Sequence, residues 1–242
     1  MLKQFRSRPL DEAVEKIEHY IIKNKLSPHT RMPSERDMCD MWDINRTTLR
    51  SAIQRLTREG KVYSRRGSGT FVATEKLLCN LQDLKTISDA ARRSNRKLST
   101  KVLDTRIIEC PKQISKKLCV PLGHKIFVLN RLRLLDNIPV CLETMYLNYE
   151  RYPTLDKHDF SVESLYHVLG EEFGTKIQRG EQTLSVTYST EEESAFLKVP
   201  IQTPVFFLRG ISLDSDDVPF EYFKNISRSD QIRYASVLRE HS

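Results

Sequence analysis

The chain is 242 residues long, 39% hydrophobic and 29% charged, with a formal net charge of +7. That length exceeds one typical domain, so two are expected, and the composition allows ordinary buried cores. No run nears the about eighteen consecutive apolar residues that mark a membrane span. The opening MLKQFRSRPL lacks the apolar segment of a signal peptide. The cysteines Cys39, Cys79, Cys110, Cys119 and Cys141 are scattered and contain no C-x-x-C pair. A disulfide framework or zinc site is therefore not expected, no cofactor motif is present, and the usage suits a reducing cytoplasm.

The first strongly patterned stretch is Pro33–Val72. Ser34 is placed to cap a short helix, with Asp37 at the position that reaches back to the cap. A turn around Asp43 and Ile44 leads to Asn45, a second good cap. After it Leu49, Ala52, Ile53 and Leu56 follow the i, i+3, i+4, i+7 spacing of a helix with one apolar stripe. Gly60 stops that helix. Two β-like runs, Val62–Tyr63 and Thr70–Val72, flank the basic tip Arg65-Arg66-Gly67-Ser68-Gly69. Helix, turn, helix and basic hairpin make a winged helix-turn-helix. Trp42 reads as core, while Arg55 and Arg58 read as solvated charge on the outer face.

These residues resemble the N-terminal signature of the GntR family of bacterial transcription regulators: P-S-E-R, a capped R-T-T-hydrophobic-R, E-G, then R-R-G-S-G-T-F-V. The resemblance implies a sequence-specific DNA-binding protein. Its contacts to double-stranded DNA would come from Arg36, from Asn45, Arg46, Thr47, Thr48 and Arg50 at the start of the second helix, and from Arg65, Arg66 and Gly67 of the wing. On this reading Arg46 reads a base edge, and Lys61 contributes a general backbone contact. The charge distribution agrees. Residues 1–75 hold 15 Lys and Arg against 10 Asp and Glu, residues 76–101 hold 7 against 2, and residues 102–242 hold 17 against 20. Positive charge confined to the helix-turn-helix and the segment behind it suits phosphate contacts that release counterions.

Residues 1–75 are expected to form the DNA-binding domain, 76–84 a semi-rigid charged connector, and 85–242 a second domain. Thr86-Ile87-Ser88-Asp89 reads as a capping box opening a helix through about Arg93. Cys79, near the connector, is a candidate exposed redox thiol or a bystander. Residues 114–139 and 193–219 then form a near-repeat. Each holds a short helix, a Val-Pro, an apolar strand, an acidic turn and a strand entered at a Pro. Each follows a β-like run, Val102–Glu109 or Thr183–Tyr188. This suggests two β-α-β-β units in one mostly antiparallel sheet with helices on one side, an α+β fold. Between them Ser161–Phe173 reads as a helix that Gly174 ends.

Arg131 and Arg133 are two apart on a strand and so share a face, where two guanidiniums need an anion or carboxylates between them. Ser164 and Thr86 stand at helix N-termini, which attract anions. Glu143 and Glu221 follow turn prolines and can accept hydrogen bonds, or can simply pair with the two arginines. This half resembles the UTRA effector domain of the HutC-type branch, from about Leu84 to Leu238. The resemblance implies a chorismate-lyase-like fold, a homodimer, and a ligand switch rather than an enzyme. In such regulators that answer to phosphosugars, positions matching Thr86, Ile87, Ser88, Arg131, Ser164 and Tyr166 take the phosphate, and those matching Arg133, Glu143 and Glu221 take the sugar. A Tyr is common six residues after the last Glu, where this chain has Ser227, which departs from the aminosugar pattern. The function implied is a homodimeric repressor on an inverted-repeat operator, released by a small anionic metabolite. An effector-independent DNA binder and a lyase-like enzyme using His124, His158 or His167 are the other classes; those histidines share no spacing with a nucleophile.

The turn at Asp136–Pro139 joins the Arg133 strand to the Glu143 strand. A three-residue loop places Arg133 directly opposite Glu143. A two-residue loop sends Glu143 to the other face unless a bulge restores it. The expected outcome is a common face, open to a cavity that also receives Arg131, Ser164 and Glu221.

Overall fold

The computed structural model describes residues 8–65, 67–82 and 87–236; Arg66 and Thr86 lie outside them. The chain divides into two compact units, Met1–Lys76 and Leu77–Ser242.

The first unit begins with a helix that the motif reading passed over, α1 (Pro9–Lys23), with Pro9 in its first turn and Ala13, Val14 and Ile17 buried. Helix α2 (Glu35–Trp42) carries the expected capping box: Ser34 Oγ accepts from the Asp37 N–H at 3.2 Å, and Asp37 Oδ2 accepts from the Ser34 N–H at 3.3 Å. Asp43 turns the chain through a left-handed conformation, φ 52°, which a short polar side chain tolerates. Helix α3 (Arg46–Arg58) starts from Asn45, whose Oδ1 accepts from the Thr48 N–H at 2.8 Å. Leu49, Ala52 and Leu56 are fully buried and Ile53 nearly so, packed with α1 and with Met38 of α2. Trp42 packs against this core and meets Tyr20 edge-on at 5.8 Å. Gly60, at φ +71°, turns the chain into the wing, strands β1 (Val62–Arg65) and β2 (Gly69–Val72), paired antiparallel with Arg65 opposite Gly69.

The second unit is built on a six-stranded sheet of order β4-β5-β6-β9-β8-β7 with every neighbour antiparallel. Its strands are β4 (Leu98–Glu109), β5 (Lys125–Leu135), β6 (Ile138–Asn148), β7 (Arg179–Tyr188), β8 (Pro204–Leu213) and β9 (Pro219–Arg228). The near-repeat is two β-α-β-β units, β4-α5-β5-β6 and β7-α7-β8-β9, joined where β6 meets β9. Helices α5 (Lys112–Leu118) and α7 (Glu191–Leu197) both end on a left-handed residue, Cys119 and Lys198, just before the Val-Pro. Two further strands, β3 (Leu77–Asn80) and β10 (Ile232–Ala235), pair in parallel. Residues 77–80, expected within the connector, are thus part of the second unit, held by backbone pairing and by burial of Leu77.

Helices cover both faces of the sheet, not one as expected. Strand β5 shows this: nearly every residue from Ile126 to Leu135 is buried, as in a strand covered on both sides, although Asn130, Arg131 and Arg133 interrupt its apolar run. On one face α5 packs over Ile126, Val128, Tyr146 and Tyr222, and α7 over Leu132, Leu142 and Ile226. On the other, helix α6 (Leu165–Phe173) and the segment carrying Tyr152, Leu155 and Phe160 cover Phe127, Leu129 and Leu147. Helix α4 (Ile87–Arg93), β3 and β10 cover Leu135 and Cys141. Helix α6 begins four residues later than expected, at Leu165, because residues 159–163 form turns closed by Asp159. Gly174, at φ 65°, ends it.

Gly210 of β8 is closely enclosed. A Cβ there would stand 2.4 Å from the Glu181 carbonyl and 2.8 Å from the Phe223 ring. Gly170 within α6 has only the Thr175 carbonyl at 4.0 Å. Gly210→Ala is expected to lower unfolding free energy by ~1–3 kcal/mol in urea titrations of the full chain. Gly170→Ala is expected to leave it unchanged or raise it by up to ~1 kcal/mol through helix propensity.

Candidate functional site

Burying the 49/52/53/56 stripe turns Arg46, Thr47 and Arg50 outward, all exposed at the start of α3. Arg50 Nε donates to Glu35 Oε2 at 2.8 Å, tying the two helices of the motif together. Arg36 is exposed on α2, and Gly67 is exposed at the wing tip at φ +74°. Arg65 does not extend freely; its guanidinium lies over the stacked Tyr63 and Phe71 rings at 5.4 and 5.5 Å. Two further basic residues are re-read by the structure. Lys61 is ion-paired with Glu18 and, at 3.3 Å, Glu59, so it is not a free backbone contact. Arg55 pairs with Asp11 at 2.7 Å and Glu59 at 3.0 Å and braces α3 against α1. Arg31 was missed: its backbone bridges Phe71, and its side chain packs beside Gly69 of the wing.

In the second unit, the two sets of covering elements on one face leave a gap between them. The gap is a cavity of about 480 Å³. Its floor is the sheet, one wall the N-terminal end of α6, and the other β3, β10 and the start of α4. Register decides what the floor shows. Asp136 and Asn137, both at positive φ, make a two-residue turn between Leu135 and Ile138, the geometry that suits a hairpin. The register then slips between Arg133 and Leu134 of β5, leaving Val140 as the extra residue of β6. Arg133 therefore faces Cys141, not Glu143, and Glu143 faces Arg131. The bulge restores the common face.

Arg131, Arg133, Glu143, Ser88, Ile87, Ser164 and Tyr166 all line the cavity. Glu143 Oε2 accepts from Arg131 Nη2 at 2.8 Å and lies 3.4 Å from Arg133 Nη1. Arg133 Nη2 donates to Ser88 Oγ at 2.7 Å. Pairing of the arginines with a carboxylate is thus realised with Glu143. Ser164 opens α6 without using its side chain as a cap. Glu221 shares the face but not the cavity: it is wholly buried behind the wall, accepting from Tyr166 at 2.9 Å and Ser212 at 2.7 Å. Burial pushes its carboxyl up, and the two hydroxyls only partly offset that. Burial and the adjacent Glu221 together hold the Tyr166 phenol well above its usual range.

The sequence reading missed Asn225, Gln182, Cys79, Cys141 and Tyr234, which also line the cavity. Ser227 is fully buried there, and its hydroxyl lies 3.3 Å from that of Tyr234. A phenol is thus present beside the serine, delivered from β10. Alternation along β9 marks Asn225 and Ser227; nothing local marks Tyr234 or Cys79. Burial pushes the Cys79 thiol up to about 11, so it is a protonated lining group rather than a reactive thiolate. Among the candidate acid–base histidines, His158 is held by Glu163 at 2.9 Å and Glu172 at 3.0 Å, and His124 lies 3.2 Å from Glu150. None of the three lines the cavity.

Two family models match the chain: the bacterial regulatory proteins of the gntR family over residues 9–72, and the UTRA domain over residues 93–233. The chain belongs to the GntR family of regulators that carry a UTRA domain. It is a DNA-binding transcription regulator, not an enzyme. It is 25% identical over 227 residues to the transcriptional repressor NagR of Bacillus subtilis (94% of this chain, 93% of that protein). It is 26% identical over 212 residues to the probable fructoselysine utilization operon transcriptional repressor of Escherichia coli (87% and 86%). Among solved structures, PhnF from Mycobacterium smegmatis shares the fold, with a TM-score of 0.73 at 24% identity over 95% of this chain and all of that one. Among the described residues, no helix is long and apolar enough to cross a membrane and no group of acidic, His or Cys side chains is arranged to hold a metal.

Glu221 makes a pH test of this arrangement. A carboxyl with a raised folded pKa keeps its proton in the native state to higher pH than in the unfolded state, so its contribution to stability falls as pH rises through that window. The unfolding free energy of the wild type minus that of Glu221→Gln, from urea titrations, is expected to be flat below the ordinary carboxylate range and to decline above it. A pH-independent difference would contradict the assignment.

Proposed function

We propose that this chain represses transcription as a homodimer on an inverted-repeat operator and leaves it when a small anionic metabolite, such as a phosphosugar, enters the cavity. The observation that carries this reading is the pair of buried guanidiniums, Arg131 and Arg133, served by one carboxylate at the floor of a cavity beside the α6 N-terminus. Burying two cations against one anion is costly unless another anion joins them. Arginine and helix N-termini both suit phosphate. That NagR and the fructoselysine relative are named as repressors supports the direction of control. A protein of this kind works beside its operator in the cytoplasm.

The DNA half rests on Arg46, Thr47 and Arg50 entering a major groove, with Asn45 and Thr48 fixing the helix start and Arg36, Arg65, Arg66 and Gly67 holding the backbone or minor groove. In the effector half, Ser88, Ser164 and Tyr166, with the backbone of Ile87, join Arg131 around the anion. Arg133 and Glu143 face the rest of the molecule, and Glu221 acts from behind by positioning Tyr166. Release needs the effector to favour one dimer arrangement over the other by only ~1–3 kcal/mol.

Two substitutions test the halves separately. Arg46→Ala should cost ~1–3 kcal/mol on the specific operator and relax base preference at one position. Footprints identical to wild type would remove α3 as the reader. Arg133→Ala should keep operator affinity while raising the effector concentration needed for release in an electrophoretic shift titration. Lost operator binding in a folded Arg133→Ala protein would count against the cavity as the effector site.

A further inference from the structure

The Arg131–Glu143–Arg133 cluster is incompletely satisfied. All three side chains are more than nine-tenths buried. One oxygen of Glu143 serves both arginines, through Arg131 Nη2 at 2.8 Å and Arg133 Nη1 at 3.4 Å. Neither guanidinium therefore engages the carboxylate through the two-pronged geometry that makes such pairs strong. Among the described residues, the other partner of Arg131 Nη2 is the Met145 thioether, at 3.3 Å. The Nε–H groups of Arg131 and Arg133 are both buried with no acceptor among the described residues. Of the other carboxylates, Glu221 is committed to Tyr166 and Ser212, and the cavity-lining Glu163 and Glu181 are paired with His158 and Arg179. Two cations and one shared oxygen leave a positive surplus and two orphan donors.

We propose that Glu143 is the cavity's resident counter-anion: it stands between the arginines in the effector-free protein, and the effector's anionic group binds by displacing it. This rests on the anionic-effector reading above and adds a selectivity. A carboxylate ligand would only duplicate what Glu143 already supplies, at the cost of uncoupling it. A phosphate or other oxyanion with three or more acceptor oxygens does more. It can hold Arg131 two-pronged, take its orphan Nε–H and still meet the α6 N-terminus beside Ser164, while Arg133, bonded to Ser88, turns to the rest of the ligand. Glu143, once freed, is left on the cavity floor to accept hydrogen bonds from the hydroxyls of the same ligand. The resident acid thus favours oxyanions over monocarboxylates and lowers affinity for a bare anion.

The test uses the full chain, inorganic phosphate and acetate, with thermal-shift and calorimetric titrations of wild type, Glu143→Gln, Glu143→Asp and Arg131→Met. Wild type is expected to respond to phosphate and hardly to acetate. Arg131→Met is expected to lose the phosphate response. Glu143→Gln is expected to bind phosphate about tenfold more tightly, since a competing buried charge has gone, and to acquire an acetate response, because acetate refills the vacated place. Glu143→Asp, whose carboxylate is withdrawn by one methylene while the charge is kept, is expected to lie between. If Glu143→Gln folds only with anion present, recovery by phosphate or acetate is the same result in stronger form. If it folds under no condition, Glu143→Asp decides, and phosphate affinity no better than wild type overturns the proposal. A folded Glu143→Gln with unchanged or weaker phosphate binding and no acetate response overturns it too, leaving the anion reading in place. Indifference of both wild type and Glu143→Gln to phosphate overturns both.

Discussion

One inserted residue governs the chemistry of the second unit. Without Val140 as an extra residue in β6, the two-residue turn at Asp136–Asn137 would place Glu143 on the face covered by α5 and α7, apart from both arginines. Two guanidiniums would then be buried with no carboxylate, a loss far larger than the cost of one broken ladder position. The turn is itself pinned: Arg96 donates to Asp136 at 2.7 Å, and the Lys97 N–H donates to it at 3.0 Å. Arg96 therefore lowers the Asp136 carboxyl below its usual range. A hairpin of fixed length, a bulge of fixed position and an acidic partner at residue 143 form one linked choice.

The cavity follows from the same economy. A sheet buried on both faces needs cover everywhere, and the chain covers one face with two separate sets of elements around α6 and around α4, β3 and β10. Where they fail to meet, the floor carries Arg131, Arg133, Glu143 and Asn225 among apolar residues such as Met145, Leu208 and Phe223. Strand β3 is the first element of the second unit, directly after Lys76, and it contributes Cys79 and Asn80 to the cavity lining.

The first unit separates structural charge from free charge in a way composition hides. Arg55 and Lys61 are neutralised by Asp11, Glu18 and Glu59, whereas Arg50, tied to Glu35, keeps most of its side chain exposed. Exposed pairs of this kind add little stability, but they fix which cations remain to meet phosphates. Arg46 and Arg36 stand exposed on the two helices of the motif, while Arg65 is stacked on aromatic rings at the wing.

Much of the fold was legible because its signals are local. Ser34 with Asp37, Asn45, the 49/52/53/56 stripe, Gly174 and the two Val-Pro units each specify backbone through neighbours within a few residues. Their expected roles stand, as does the pairing of Arg131 and Arg133 on one face. What local pattern could not decide were long-range matters. The Val140 bulge depends on which strand face is buried, a property of the whole sheet. Helices on both faces follow from the burial of both faces of β5. Glu221 sits behind Tyr166 rather than in the cavity because Ser212, on another strand, completes its hydrogen bonds. Tyr234 reaches the Ser227 position only because the last strand pairs in parallel with β3, more than a hundred and fifty residues earlier in the chain. Local sequence set the elements and the residue types that carry charge; only tertiary pairing, which buries faces and completes hydrogen bonds across distant strands, set which of them meet.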